Sequence, residues 1–219
     1  LAYFLLILDQ CVKIYIKTHF FLGESVEVFS GFQILFIENE GAAWGAKLSD
    51  ILPISDVSGK IALTVFRLFA IVGIGAWFVS SVKKGVPLFL QMAQALIFAG
   101  ALGNIIDSVF YGVLFNDSMY QVATLFSDQP YGSLLQGKVV DMLYFPLIDT
   151  TWPEWVPKWG GSSFEFFRPV FNVADAAISV GVIAILLFHR RFFTKPEDVK
   201  IQSETTSTAT SNVGSSEEE

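Results

Sequence analysis

Four long apolar segments stand out along the chain, each close to the roughly 20 residues that a helix needs to cross a bilayer. They are separated by stretches that are richer in polar and aromatic residues. The pattern therefore predicts four membrane-spanning helices, at about residues 1–17, 61–82, 87–106 and 173–193.

Basic residues set the expected orientation of these helices. Lys83 and Lys84 lie in the short link between the second and third segments, and the fourth segment ends in a basic run that includes Arg190. Because cytoplasmic loops are enriched in Lys and Arg, both termini are expected in the cytoplasm. Residues 18–60 and 107–172 then face the outside.

The two outer segments differ in pattern. Residues 26–38 (VEVFSGFQILFIE) alternate partly and are rich in β-branched and aromatic residues, with a break at Ser30–Gly31, which predicts one or two short strands. The second outer segment carries many Trp and Phe residues, which settle at the headgroup level of a bilayer. We expect it to lie on the membrane surface, and we predict an all-α membrane protein with a small β element.

Composition supports this class. Hydrophobic residues make up 53% of the chain and charged residues only 16%, against about 25% charged in a soluble domain. The net charge of -7 comes mostly from an acidic, Ser/Thr-rich tail at 197–219, which we expect to be a disordered cytoplasmic extension of a single membrane domain, 1–196. The membrane body is nearly neutral, so no nucleic-acid partner is expected. The apolar start at Leu1 indicates a trimmed N-terminus.

Two aspartates carry most of the functional information. Asp141 lies in GKVVDM (137–142) and Asp175 in FNVADAAISVG (171–181), each beside apolar residues where bilayer should meet water. An ionised carboxylate beside hydrocarbon carries a free-energy penalty, so it is rarely found there without a functional role. Two carboxyl groups held close together share a proton, and such a pair can activate water for attack on a carbonyl group.

Other catalytic arrangements find little support. The two histidines, His19 and His189, fall on opposite sides of the membrane in the predicted topology, and neither an HExxH zinc motif nor a GxSxG elbow is present. No metal or cofactor is therefore expected. The single cysteine, Cys11, excludes an internal disulfide.

Three further polar pairs lie in or beside the apolar segments: Asp9 with Lys13, Asn104 with Asp107, and Asn172 with Asp175. Asp9 and Lys13 lie four apart on one helix face, either as a structural ion pair or as a pair that orients substrate or a catalytic loop. Asp107 is expected to have a structural role, as a carboxylate that hydrogen-bonds to a loop. An Asp in a first helical turn, such as Asp175, is also favoured by the helix dipole alone.

Five segments in order resemble the lipoprotein signal peptidase (signal peptidase II) family. They are LLILDQCVKIYI (5–16), NEGAAWG (39–45), AGALGNIID (99–107), GKVVDM (137–142) and FNVADAAISVG (171–181). The resemblance implies four transmembrane helices with an extracytoplasmic β-cradle and a surface helix. It implies a catalytic dyad, Asp141 and Asp175. It also implies residues that bind substrate or support the site: Asn39, Gly41, Asn104, Asn172, Ala174, Asp9, Lys13 and Asp107.

The same resemblance implies the reaction and its setting. Family members remove signal peptides from diacylglyceryl-modified prolipoproteins, cutting just before the lipidated cysteine. The active site is expected near the outer face of the bacterial cytoplasmic (inner) membrane, in contact with membrane lipids. A monomer that is inhibited by cyclic peptide antibiotics of the globomycin type is expected.

The chain departs from the family pattern in two ways. Ser108 stands where the family usually has Arg, and Arg67 and Arg168 are the candidates to replace it. About 25 extra residues, 113–137, precede Lys138 and read as an inserted outer loop, and a second long loop covers about 146–169.

The sequence leaves three alternatives to a signal peptidase open. A proton-coupled transporter would use Asp9, Asp107, Asp141 and Asp175 as relay sites, although four spans are few and no broken-helix repeat is visible. A non-catalytic scaffold would display the aromatic loop to a partner. A presenilin-like protease would carry a GxGD signature, which the sequence lacks.

Overall fold

The computed structural model describes residues 1–40, 53–146, 148–151, 153–158, 160–166 and 169–193. This part of the chain is mostly helical and carries a small antiparallel sheet. The helices are α1 (Ala2–His19), α2 (Asp56–Lys83), α3 (Leu88–Ile106), α4 (Gly112–Leu114) and α5 (Val173–Phe193), with a π-helical turn at Asp107–Tyr111 that joins α3 to α4. The strands are β1 (Ser25–Phe29), β2 (Phe32–Asn39), β3 (Val139–Tyr144), β4 (Ile148–Thr151), β5 (Ser163–Phe166) and β6 (Val170–Phe171).

The four apolar segments all form helices, and α5 covers the range predicted for it. Among the described residues, two helical stretches are long and apolar enough to cross a membrane, α2 and the continuous run Leu88–Leu114. Helix α5 contains a shorter apolar stretch, Val173–Phe188. Helix α2 begins at Asp56, before the predicted 61, because the Ser55 side chain accepts a hydrogen bond from the Ser58 N–H and caps the helix.

Helices α3 and α5 pack closely because small residues face each other. A Cβ on Gly100 would lie 2.3 Å from the Ala174 carbonyl oxygen, and a Cβ on Gly181 would lie 2.7 Å from the Ala93 carbonyl oxygen. Small residues of this kind let helix backbones approach within a membrane. The close packing brings the C-terminal end of α3 against the first turn of α5.

The sheet has the order β1-β2-β3-β6, with antiparallel neighbours. The strands predicted at 26–38 are confirmed as β1 and β2, and they join at the predicted break, where Gly31 has a φ of 88° that suits glycine. Strand β3, which sequence patterning did not predict, pairs with β2 so that Ile37 lies opposite Asp141.

The inserted segment 113–137 packs into the protein. Phe115 pairs with Leu125 in a β-bridge, and Phe115 and Ala123 are buried in a core cluster with residues of α1, β2 and β3. Residues of this segment therefore belong to the core that lies at the C-terminal end of α3.

The second long loop contains a hairpin of β4 and β5, not a helix, in its described residues between 146 and 169. The surface helix implied by the resemblance is not found there. The residue types explain the strands, since β4 is Ile-Asp-Thr-Thr and β5 holds Phe164 and Phe166. Pro153 and Pro157 disfavour a helix between them.

Candidate active site

Asp141 lies in β3, with only 3% of its surface exposed. Its Oδ1 accepts a hydrogen bond from Asn172 Nδ2 at 2.8 Å, and its Oδ2 accepts a longer one from Asn39 Nδ2 at 3.4 Å. Asn39 is the last residue of β2, the neighbouring strand. The neighbouring strand β2 and the start of α5 therefore fix this carboxyl group from two sides.

Asp175 lies in the first turn of α5 and exchanges hydrogen bonds with Asn172. Its backbone N–H donates to Asn172 Oδ1 at 2.9 Å, and its Oδ2 accepts from the Asn172 N–H at 3.4 Å. This reciprocal pattern is that of a capping box. Asp175 Oδ1 accepts from Asn104 Nδ2 at 2.7 Å, so α3 also holds the carboxyl group.

Asn104 and Asn172 connect the two aspartates. Asn172 Nδ2 lies 3.1 Å from Asn104 Oδ1 and 2.8 Å from Asp141 Oδ1. Both carboxyl groups line one cavity of about 560 Å³, whose other walls are Asn39, Arg67, Ala70, Ile71, Ile74, Ala101, Asn104, Ile105, Val139, Pro169, Val170, Phe171, Ile178 and Ser179. The two aspartates that sequence analysis paired thus face the same space.

The surroundings of Asp141 favour its protonated form. Burial raises the pKa of Asp141 to about 7, and the nearby Asp175 carboxylate acts in the same direction. Lys13 and the hydrogen bonds from Asn39 and Asn172 oppose the shift without cancelling it. The cavity therefore holds a carboxyl group that keeps its proton close to neutral pH, beside a second carboxyl group.

Lys13 is the centre of a buried charged network beneath these residues. Its Nζ lies 2.9 Å from Asp9 Oδ2, 2.8 Å from Asp107 Oδ2 and 2.8 Å from Asn104 Oδ1. A lysine ammonium has three N–H donors, so each has an acceptor. The ion pair predicted between Asp9 and Lys13 is present, and Asp107, from the π-helical turn after α3, also pairs with Lys13.

The network also fixes the two segments that carry the aspartates. Asp9 Oδ1 accepts from the Ala174 N–H at 2.9 Å, one residue before Asp175. Asp107 Oδ2 accepts from the Val140 N–H at 3.3 Å, one residue before Asp141. The main chain on both sides of the cavity is therefore tied to the same buried charges.

The approach of the GKVVDM segment depends on a glycine. A Cβ on Gly137 would lie 1.8 Å from the Asp107 carbonyl oxygen, so no other residue fits without movement of the backbone. The Gly137 N–H donates to the Ser108 carbonyl oxygen at 2.9 Å. The π-helical turn and β3 thereby form one unit.

Arg67 reaches the cavity from α2. Its Nη1 donates to Ser108 Oγ at 3.3 Å, and Ser108 Oγ donates to the Asn104 carbonyl oxygen at 2.8 Å. Of the two arginines named as replacements for a cation at position 108, Arg67 therefore lies at the site. Arg168 and the candidate Gly41 lie outside the described residues.

A second buried charged cluster was not predicted from the sequence. Lys17 forms a buried ion pair with Glu38 and donates to Ser118 Oγ at 2.9 Å, while Lys138 Nζ lies 3.2 Å from Glu38 Oε2. This cluster joins segment 113–137 to α1 and β2. The sequence does contain a signal for a buried role of Lys17, because it lies four residues after Lys13 and shares its helix face.

Among the described residues, no group of three or more His, Cys, Asp or Glu side chains is placed to hold a metal ion. The site consists of two carboxyl groups, asparagine amides and one guanidinium. Carboxyl groups placed in this way can transfer protons to and from a bound water or substrate.

Comparisons with known proteins identify the family of the chain. The family model for signal peptidase (SPase) II matches residues 1–191. The lipoprotein signal peptidase of Porphyromonas gingivalis is 44% identical over 190 residues, which is 85% of this chain and 80% of the relative. That of Amoebophilus asiaticus is 30% identical over 203 residues, covering 90% of this chain and 78% of the relative.

A solved structure described as a bacterial membrane enzyme, determined by the in meso method at 1.9 Å resolution, is also similar. It has a TM-score of 0.54 and 28% sequence identity, and the match covers 85% of this chain and 87% of that chain. None of these comparisons supports a transporter. With the family model matching nearly the whole described chain, this protein belongs to the signal peptidase II family.

Proposed function

We propose that the chain is a membrane-embedded aspartic endopeptidase whose catalytic pair is Asp141 and Asp175. Membership of the signal peptidase II family makes it a lipoprotein signal peptidase, which cleaves signal peptides from prolipoproteins. The substrate we propose is a prolipoprotein that already carries diacylglycerol on its cysteine, cut just before that cysteine. The observation that carries the proposal is that both carboxyl groups line one cavity and are joined through Asn172 and Asn104.

The mechanism follows from one proton shared by two carboxyl groups. The ionised carboxylate takes a proton from water, and the water oxygen attacks the carbonyl carbon of the scissile peptide bond. The protonated partner donates its proton to the carbonyl oxygen, which gives a tetrahedral diol. Proton transfer to the leaving nitrogen then breaks the C–N bond. The raised pKa of Asp141 supports it as the partner that holds the proton.

In the proposed setting, α1, α2, α5 and the α3–α4 run cross the cytoplasmic membrane as a monomer with both termini inside. The sheet then lies outside as a cradle, and the cavity opens near the outer face. The apolar length of α2 and of Leu88–Leu114 supports two of the spans. In α1, the charged residues Asp9, Lys13 and Lys17 are buried in the protein, which suits a helix that faces lipid with its other side.

The test is cleavage of a purified, diacylglyceryl-modified precursor, followed by its shift on a gel. Wild-type protein should shorten the lipidated precursor and leave the unlipidated one intact, and a globomycin-type cyclic peptide should inhibit it. Asp141→Asn and Asp175→Asn should each abolish the shift. Asp128→Asn, which changes an exposed carboxylate on the inserted segment, is the matched control and should cleave normally.

Normal cleavage by either dyad variant would exclude the proposed pair. Proton uptake into liposomes that depends on substrate, without any cleavage, would favour transport instead.

A further inference from the structure

Strands β2 and β3 present one face to the active-site cavity and the other to the protein interior. Asn39, Val139 and Asp141 line the cavity. Successive side chains of a strand point to opposite faces, so Glu38 and Val140, which lie opposite each other in the strand pair, are on the interior face. The Glu38 side chain is only 2% exposed. A buried carboxylate therefore comes directly before the asparagine that contacts Asp141.

Glu38 is held on the interior face by groups from α1 and from the inserted segment 113–137. Lys17 forms a buried ion pair with it, and Ser118 Oγ donates to Glu38 Oε1 at 3.0 Å. Lys17 Nζ also donates to Ser118 Oγ at 2.9 Å, so the three groups form a closed triangle. Ser118 is fully buried, and its carbonyl oxygen accepts a hydrogen bond from the Leu22 N–H at 2.9 Å. The inserted segment is thus fixed where it meets Glu38.

Tyr131 of the inserted segment supports the same cluster from the side of β3. Its hydroxyl oxygen accepts a hydrogen bond from the Lys138 N–H at 2.8 Å. The Nζ atoms of Lys17 and Lys138 lie 5.0 and 5.4 Å from the centre of its ring. Lys138 Nζ also lies 3.2 Å from Glu38 Oε2. Both carboxylate oxygens of Glu38 therefore have a cationic partner.

We propose that Glu38 is a positioning residue for the catalytic pair, and that the inserted segment takes part in catalysis by holding Glu38 through Ser118. Glu38 acts through the next residue, Asn39, whose Nδ2 lies 3.4 Å from Asp141 Oδ2. That distance is long for a hydrogen bond, so a small movement at the end of β2 would break the contact. The inference rests on the proposed function, in which Asp141 is one of two catalytic carboxyl groups.

The energetics of the cluster favour this role over a contribution to stability alone. A buried ion pair adds little net stability, because the cost of removing both ions from water offsets their attraction. What the triangle of Lys17, Glu38 and Ser118 does supply is a fixed geometry, since each group keeps its two partners in one arrangement only. The end of β2 is fixed with it.

The test is the pH dependence of kcat/KM for cleavage of a lipidated precursor. Burial and the Asp175 carboxylate raise the pKa of Asp141. The hydrogen bond from Asn39 lowers it, as does Lys13, and Arg67 also interacts with Asp141 through space. Loss of the hydrogen bond alone should therefore move the alkaline limb of the profile to higher pH, by about 0.5 pH unit.

Two variants change the cluster and leave the groups around Asp141 in place. Glu38→Gln keeps the shape of the side chain without its charge, and Ser118→Ala removes one hydroxyl of the inserted segment. Each should show the upward shift of the limb, with kcat about 10-fold lower and KM changed much less. Ser118→Ala supplies the milder change if the glutamine form does not fold. Ser127→Ala, which removes a hydroxyl that accepts from the Gln129 N–H, is the matched control and should keep the wild-type profile.

A second measurement tests whether the effect passes through Asn39. Asn39→Ala removes the hydrogen bond to Asp141 directly, so it should move the limb in the same direction. Adding Ser118→Ala to Asn39→Ala should then move the limb no further, because two changes that act through one contact are not additive.

An unchanged limb in both Glu38→Gln and Ser118→Ala, with only Tm lowered, would overturn the positioning role and leave the cluster a purely structural one. Shifts that add in the double variant would also overturn it. The proposed function would survive either result if wild-type protein cleaves the precursor and Asp141→Asn does not. Failure of wild-type protein to cleave would instead count against the proposed function itself.

Discussion

At Asp141, two effects act in the same direction on one carboxyl group. Burial removes the water that would stabilise its charge, and Asp175 adds a like charge nearby, so the pKa rises to about 7. Asn39 and Asn172 hydrogen-bond to the group without removing this effect. The carboxyl group of Asp141 therefore keeps its proton up to about neutral pH.

The pH dependence of cleavage should report this proton. We predict that kcat/KM falls above about pH 7, because the protonated form of Asp141 is lost there and no acid remains to donate to the carbonyl oxygen. The limb belongs to the pair, since coupled groups titrate together. Initial rates measured on a lipidated precursor from acid to alkaline pH check this. A rate that stays constant well above neutral pH would contradict it.

Lys13 should be essential to stability because it is buried together with its two carboxylate partners, Asp9 and Asp107. Lys13→Met would leave the carboxylates of Asp9 and Asp107 buried without a cation, and breaking a buried pair in this way costs about 3–5 kcal/mol. Thermal unfolding in detergent should show a marked drop in Tm. Lys84→Met, at an exposed lysine, is the control and should unfold as wild type does. Equal Tm values for the two variants would refute the role of the network.

Among the secondary-structure elements, the site depends on β3 lying against the π-helical turn Asp107–Tyr111. π-Helical turns are often found at functional sites. Here the turn brings Asp107 into contact with Lys13 and Ser108 into contact with Arg67. One turn of α3 earlier, Asn104 faces Asp175. The end of α3 therefore serves both the buried charges and the cavity.

Gly137→Ala should separate β3 from this turn. Its new methyl group would overlap the Asp107 carbonyl oxygen, whereas Gly132→Ala in the same inserted segment meets its nearest neighbour only at 3.5 Å. We expect Gly137→Ala to lower both Tm and cleavage rate and Gly132→Ala to change neither. Assays of the two purified variants side by side check this, and equal behaviour would show that the close approach is not required.

The elements that sequence predicted are those with local signals. The helices follow from their apolar length, and the β1–β2 hairpin follows from alternation with a break at Gly31. Strand β3 has no such signal, because its first four residues, starting at Val139, are all buried and show no alternation. Its conformation is set by pairing with β2, which lies far away in sequence.

The candidate site residues also fall into those that have a local sequence signal and those that have none. Asp9 and Lys13 are predictable because they lie four apart on one helix, and Asn172 and Asp175 because they lie three apart at a helix start. The contact of Arg67 with Ser108 joins two helices, so the sequence could name Arg67 only as one of two candidates. Contacts between residues that are far apart in sequence depend on how the helices pack, and no local sequence pattern indicates them.

At the scale of the whole molecule, the proposed topology puts the inserted segment outside and the α2–α3 link inside. Cys11 is the single cysteine, so Cys11→Ser gives a background for new cysteines at two exposed positions, Asp128→Cys and Lys84→Cys. A membrane-impermeant thiol reagent should label the first in intact spheroplasts and the second only after lysis. The reverse pattern of labelling would invert the topology.

The central claim is that Asp141 and Asp175 act as one catalytic unit. The measurement that tests it most directly is the single-turnover rate of precursor cleavage by Asp141→Asn, by Asp175→Asn and by the double variant. Groups that act together are strongly non-additive, so each single change should slow cleavage by about 10²- to 10⁴-fold or more and the double variant should be no slower than the singles. A single variant that cleaves at nearly the wild-type rate, or two effects that multiply in the double variant, would contradict the claim.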